Sequence, residues 1–113
     1  MRIFHVLAAL IVLGCHVPVA LAADASVTIS SPQEGAKMSP KTEVNVAYEI
    51  ALGPTGNHAH LYVDNNEAVI LRALKGSHPV GTLAPGKHQI CIKVVNKAHT
   101  PTGAQACVNV STE

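Results

Sequence analysis

The sequence predicts an all-β fold, an antiparallel β-sandwich of about seven short strands. Three observations carry this. From Val27 onward, apolar and polar residues alternate in run after run. Turns containing Gly, Pro or Asn separate those runs at regular spacing. No stripe with the period of an amphipathic helix follows the N-terminal segment. A small β-barrel is the second choice.

Each element has its own justification. Val27-Thr28-Ile29 alternates, and the stretch SPQEGAKMSP, with Pro32, Gly35 and Pro40, reads as a loop. Val44, Val46 and Tyr48 alternate with Asn45, Ala47 and Glu49, the mark of a half-buried strand. Gly53-Pro54-Thr55-Gly56 is a loop. In NHAHLYVD, Ala59, Leu61 and Val63 fall on the core side, while His58, His60, Tyr62 and Asp64 fall on the other. Asn65-Asn66 suits the positive φ of a tight hairpin turn, and Ala68–Leu71 returns beside the first strand. Lys75-Gly76-Ser77 reads as loop, and His78–Leu83 as a short strand whose Pro79 suits its beginning or a sheet edge. Ala84-Pro85-Gly86-Lys87 is a turn, with Pro fixing one φ and Gly supplying a positive one. His88–Val95 then places Ile90, Ile92 and Val94 inward. After the loop 96–103, the last strand runs from Ala104 to Val110.

The N-terminal residues fall outside this pattern. Arg2, an apolar run from Val6 to about Gly14, and small residues at Ala20 and Ala22 have the anatomy of a secretory signal peptide. Cleavage after Ala22 makes 1–22 the signal and 23–113 a single domain. His16 and Pro18 interrupt the apolar run and argue against a permanent span. Val12-Leu13-Gly14-Cys15 offers a competing reading, a lipid anchor at Cys15. The expected location is the periplasm or outside the cell.

The chain has eight basic and seven acidic residues, and Arg2 in the export segment accounts for the difference. A balanced charge with no basic patch argues against nucleic acid as a partner. Tyr48 and Tyr62 are the only aromatics after the leader, too few for a stacking platform.

Cys91 and Cys107 are the two cysteines of the mature segment. In an exported chain they read first as a disulfide, and the absence of a CxxC pair weakens the alternative of a thiolate metal site. Register supports the bridge. If Ile92 lies opposite Ala106 and Ile90 opposite Val108, then Cys91 lies opposite Cys107, and one pairing satisfies both the apolar pattern and the bond.

The histidines raise the functional question. His58 and His60 project to one face of a strand, about 6.5–7 Å apart along the backbone, and can share one ion. In an immunoglobulin-like strand order, the loop before His58 and the loop carrying His99 lie at the same end of the sandwich. His99 is therefore the third candidate ligand and His78 a weaker fourth, whereas His88 starts a strand at the opposite end and reads as structural. Imidazole ligands suit copper(II) and zinc. The bland alternative is that all are polar residues on a wet face. No nucleophile–base pair, paired carboxylates or phosphate-binding glycine loop is present, so no catalytic residue is assigned and the chain is not expected to be an enzyme.

The segments SPQEGAKMSP, NHAHLYVDNNE and LAPGKHQICIKVVNKAHTPTG together resemble small secreted bacterial immunoglobulin-like domains of unknown function. Those domains carry an HxH strand, a PGxH turn and an NxxHxP loop. The resemblance covers most of Ser30–Val110 and implies an envelope or secreted β-sandwich. The positions that match its histidine pattern are His58, His60 and His99. The two cysteines lie outside that pattern, and no tryptophan of the antibody kind is present.

The combined expectation is an exported protein that binds a metal, copper more than zinc, and acts as a periplasmic carrier, buffer or delivery partner to another protein. The alternative is a module of the cell envelope that contacts a protein without metal.

Overall fold

The computed structural model describes residues 24–113, together with Gly14. The expected signal peptide, its cleavage point and Cys15 therefore lie outside the described residues. Eight strands are present among the described residues: β1 (Ser26–Ser31), β2 (Lys37–Met38), β3 (Val44–Ala51), β4 (His58–Val63), β5 (Asn66–Leu71), β6 (Lys75–Gly81), β7 (Gly86–Val95) and β8 (Pro101–Thr112). They form a three-stranded sheet in the order β1-β3-β6 and a five-stranded sheet in the order β2-β8-β7-β4-β5. This is an immunoglobulin-like β-sandwich. Among the described residues no helix is long and apolar enough to cross a membrane.

The alternating residues supply the core between the sheets. Val44, Val46, Tyr48 and Ile50 face it from β3; Ala59 and Leu61 from β4; Ile90, Ile92 and Val94 from β7; Val108 and Val110 from β8. Leu61, Ile90, Ile92, Val46 and Val94 are fully buried. Each such aliphatic side chain contributes about 1.5–3 kcal/mol by leaving water, so a one-residue slip in any of these strands is strongly disfavoured.

The terminal hairpin has the register that the two patterns require together. Ile90 pairs with Val108, Cys91 with Cys107 and Ile92 with Ala106. Cys91 and Cys107 form a disulfide, with Cα atoms 4.1 Å apart. That separation is typical of the close, non-hydrogen-bonded type of antiparallel pair. A disulfide indicates an oxidising compartment.

The structure departs from the sequence expectations at the edges. The loop SPQEGAKMSP contains β2, which pairs in parallel with the end of β8. The Glu34 carboxylate accepts hydrogen bonds from the backbone and side-chain amides of Asn109, and Gly35 N–H donates to Asn109 O. These polar ties hold a two-residue strand that leaves no period in the sequence. β6 begins at Lys75 rather than His78 because its backbone keeps pairing with β3 as far as Glu49, although Lys75, Gly76 and Ser77 are exposed. As an edge strand it also tolerates Pro79. The β4–β5 turn falls one residue early, on Asp64-Asn65, both with positive φ (53° and 66°). A bulge between Leu61 and Tyr62 restores the pairing further along β5.

Candidate metal centre

The five-stranded sheet has a core face and an outer face. On β4 the outer face carries His58, His60 and Tyr62. On β7, beside it, Val95 pairs with His58, Lys93 with His60 and Cys91 with Tyr62. On β5, Ile70 pairs with His60. The outer face of a sandwich is ordinarily wet, yet His58 and His60 are each only 4% exposed. This excludes the reading of two solvent-facing polar residues. Val95 is fully buried beneath this end of the sheet, and His99 folds back over the pair from the β7–β8 loop.

Two connections deliver these rings. The chain passes from β3 in one sheet to β4 in the other through Leu52–Asn57, and Asn57 N–H donates to Val95 O at 2.8 Å. Gly56 makes the approach possible. A Cβ there would lie 2.1 Å from the Leu52 carbonyl oxygen and 2.8 Å from Val94 Cγ1. The second connection follows Val95 directly. Because Val95 is the residue opposite His58, the loop 96–100 starts beside the HxH pair and needs only a reversal to reach it. His99 supplies that reversal with φ of 64°.

The result is a cluster of three imidazoles. His58 Nε2 lies 3.0 Å from His60 Nε2, and His99 Nδ1 lies 3.2 Å from the same atom. One nitrogen from each ring lies within 4.8 Å of the other two. The ring centroids are 4.6–5.2 Å apart. Ligands at right angles on bonds of 2.0–2.1 Å stand about 2.9 Å apart, and tetrahedral ones about 3.3–3.4 Å apart. The two separations from His60 Nε2 fall within that interval, and the third pair lies within 4.8 Å, so the three nitrogens are close enough to be drawn around one ion.

The outward-facing nitrogens are also provided for. His58 Nδ1 is 2.8 Å from Asn57 Oδ1. A carbonyl oxygen only accepts, so this nitrogen carries the proton and Nε2 keeps its lone pair for the cluster. His60 Nδ1 faces Glu67 Oε1 at 3.5 Å and the Tyr62 hydroxyl at 3.4 Å. With Nδ1–H directed at the Glu67 carboxylate, His60 Nε2 likewise turns a lone pair inward. Burial holds the pKa of His58 below its ordinary value, and repulsion from His99, His60 and Arg72 lowers it further against a small opposing pull from Glu67. His58 is thus kept neutral, the form that ligates.

The structure therefore brings together His58, His60 and His99. It does not bring His78 to them; that residue lies on β6 of the other sheet, paired with Val46. His88 lies at the opposite pole, as its place in the sequence suggests. There its Nδ1 donates to the Asp64 carboxylate and its Nε2 to Ala84 O, while Gln89 N–H donates to Asp64 Oδ1 at 2.8 Å. An open depression of about 620 Å³ adjoins this clamp, lined by polar groups such as Lys87, Asn109 and Ser111. Asn57 and Glu67 are neighbours of the cluster that sequence reasoning missed. Asn57 stands directly before the HxH pair, a signal that was present in the sequence.

No protein-family description matches the chain, and no curated protein matches it. Among solved structures, it is similar to fibronectin(III)-like modules of Clostridium thermocellum CbhA, with TM-score 0.65 and 10% identity over 77% of this chain and 96% of that one. It is also similar to a Jonesia denitrificans lytic polysaccharide monooxygenase, with TM-score 0.45 and 13% identity over 73% of this chain and 60% of that one, a likeness too loose to bear on function. The first similarity supports the sandwich fold and extends no further.

Proposed function

We propose that this protein is an exported, non-enzymatic metal-binding β-sandwich that carries, buffers or delivers copper in the periplasm. The observation that carries the reading is the convergence of His58 Nε2, His60 Nε2 and His99 Nδ1 on one point. Imidazole nitrogens turned towards one another at these distances repel unless a cation or a proton lies between their lone pairs. Two of the three nitrogens also have polar partners behind them that fix the ligating tautomer, as metal-binding imidazoles usually do.

Copper is favoured over zinc because a nitrogen ligand set that suits both ions generally binds Cu(II) more tightly than Zn(II). The disulfide and the signal-like leader support export.

Calorimetric titration of the mature protein with Cu(II) and Zn(II) tests the reading. One equivalent of Cu(II) should bind more tightly than Zn(II), and stoichiometric binding should vanish in both His58→Ala and His60→Ala. Weak binding that neither substitution alters would refute it.

A second reading, a protein-contact module without metal, is favoured by one observation. β5 is an edge strand of the larger sheet, and Ile70 on it and Leu74 just beyond are exposed at 39% and 42%. Buried, tautomer-fixed histidines have no role in that reading.

A further inference from the structure

The three ligands differ in how they are held. His58 and His60 are buried on a strand paired on both sides, by β5 and β7. His99 is exposed, lies in a loop, and has a left-handed backbone conformation that L-residues with a side chain seldom adopt. Something must keep that loop in the one shape that turns the ring back towards the strand.

The residue that does so is Asn96. Its side-chain Oδ1 accepts from Ala98 N–H at 2.9 Å and from Thr100 N–H at 3.0 Å. Its backbone O accepts from His99 N–H at 3.0 Å, and its backbone N–H donates to Thr100 O at 2.9 Å. The two residues flanking His99 are thus tied to a single oxygen atom, and His99 itself is tied to the same residue's carbonyl. The Asn96 side chain acts as a surrogate for backbone, the usual way an Asn stabilises a turn. None of these bonds reaches the metal point, so Asn96 has no direct part in ligation.

We infer that Asn96 is the positioning residue that presets His99 as the third ligand, so that loss of its side-chain carbonyl converts the site into a two-histidine one. The inference rests on the metal reading above. Before metal arrives, the loop is already folded with Nδ1 at the cluster, and binding does not have to order it. The same arrangement makes His99 the ligand that leaves first, because it alone is exposed and held by a local network rather than by a paired strand.

Cu(II) binding to the mature protein tests this with Asn96→Ala, His99→Ala, the double variant and Asn96→Asp. Affinity is measured by competition with a chelator, and bound nitrogens are counted by electron paramagnetic resonance. Asn96→Ala should weaken Cu(II) tenfold or more and give the spectrum of His99→Ala. The double variant should bind no more weakly than His99→Ala alone. Asn96→Asp keeps an acceptor oxygen for both N–H groups and should restore the three-nitrogen spectrum. An Asn96→Ala protein with the parental spectrum and affinity overturns the inference. So does a double variant weaker than His99→Ala, or an Asn96→Asp protein with two nitrogens bound. Should Asn96→Ala fail to fold, Asn96→Leu, which keeps much of the side-chain volume but has no acceptor oxygen, carries the same comparison. If the parental protein binds no stoichiometric Cu(II), or binds it unchanged in His58→Ala, it is the metal reading that has failed.

Discussion

His58 and His60, two residues apart on β4, turn their Nε2 atoms towards each other at 3.0 Å while burying both rings on the face of the sheet away from the core. Neither ring is needed to fill the sandwich. The interior is already occupied by Ala59 and Leu61 from the same strand. Burial of two imidazoles outside the core therefore requires its own cause, and the third imidazole, from His99, accords with the shared ion proposed above.

Asn57 should contribute to metal affinity without touching the metal. Its Oδ1 takes the Nδ1–H of His58 and leaves Nε2 as the lone-pair nitrogen. Loss of such a supporting partner typically costs about 10–100-fold in affinity. Asn57→Ala should therefore weaken Cu(II) by roughly that range while the melting temperature of the metal-free protein changes little. Chelator competition and thermal melts on the same samples separate the two quantities.

Acid should destabilise the metal-free protein and oppose the metal as well. The folded pKa of His58 is lowered from its ordinary value of 6.5, chiefly by burial. Below that value the unfolded chain binds more protons than the folded one, so stability falls as pH drops from the unfolded pKa towards the lowered folded one. Protons also compete for the same nitrogens, so the rise in melting temperature on adding Cu(II) should shrink between about pH 7.5 and pH 5. A metal-induced shift that does not vary across this range would exclude histidine ligation.

The Asp64–His88 clamp should show the opposite dependence at the other pole. The hydrogen bond to Asp64 raises the pKa of His88, and the hydrogen bond to His88 lowers that of Asp64. The His88 contribution is complete below its unfolded pKa and is lost as pH rises through the raised folded value. The Asp64 contribution is complete above its unfolded pKa and is lost as pH falls through the lowered folded value. The coupling is therefore fullest between the two ordinary values, 3.8 and 6.5. A double-mutant cycle with Asp64→Asn and His88→Ala should give a larger interaction energy at pH 5.5 than at pH 9.

Much of this site was legible from residue order, for identifiable reasons. The period of two placed His58 and His60 on one face, and strand order placed the His99 loop at the same end. Both follow from backbone geometry that every residue obeys. What was not legible depends on side chains replacing backbone groups. Asn96 capturing two amides, Asp64 adopting a left-handed turn so that its carboxylate can reach His88 and Gln89, and Glu34 anchoring β2 to Asn109 leave no periodicity, because each joins residues through one local or one distant contact. His78 shows the converse limit. A strand start near the correct pole was visible in the sequence, but the assignment of that strand to the other sheet was not.

The disulfide joins Cys91 and Cys107 on the outer face, one rung along from the His60–Lys93 pair. It closes a loop that includes Asn96 and His99, with a sequence separation of 16. Loops of that size lose about 3 kcal/mol of stabilisation when opened, in the chain-entropy account. The register, however, is independently specified by Ile90, Ile92 and Val108, all buried. Reduction, or Cys91→Ser with Cys107→Ser, should therefore lower the melting temperature clearly yet leave the hairpin in place and Cu(II) affinity within a few-fold of the parental value. A reduced protein that stays folded and loses the metal would show that the bridge, rather than Asn96, holds the His99 loop over the site.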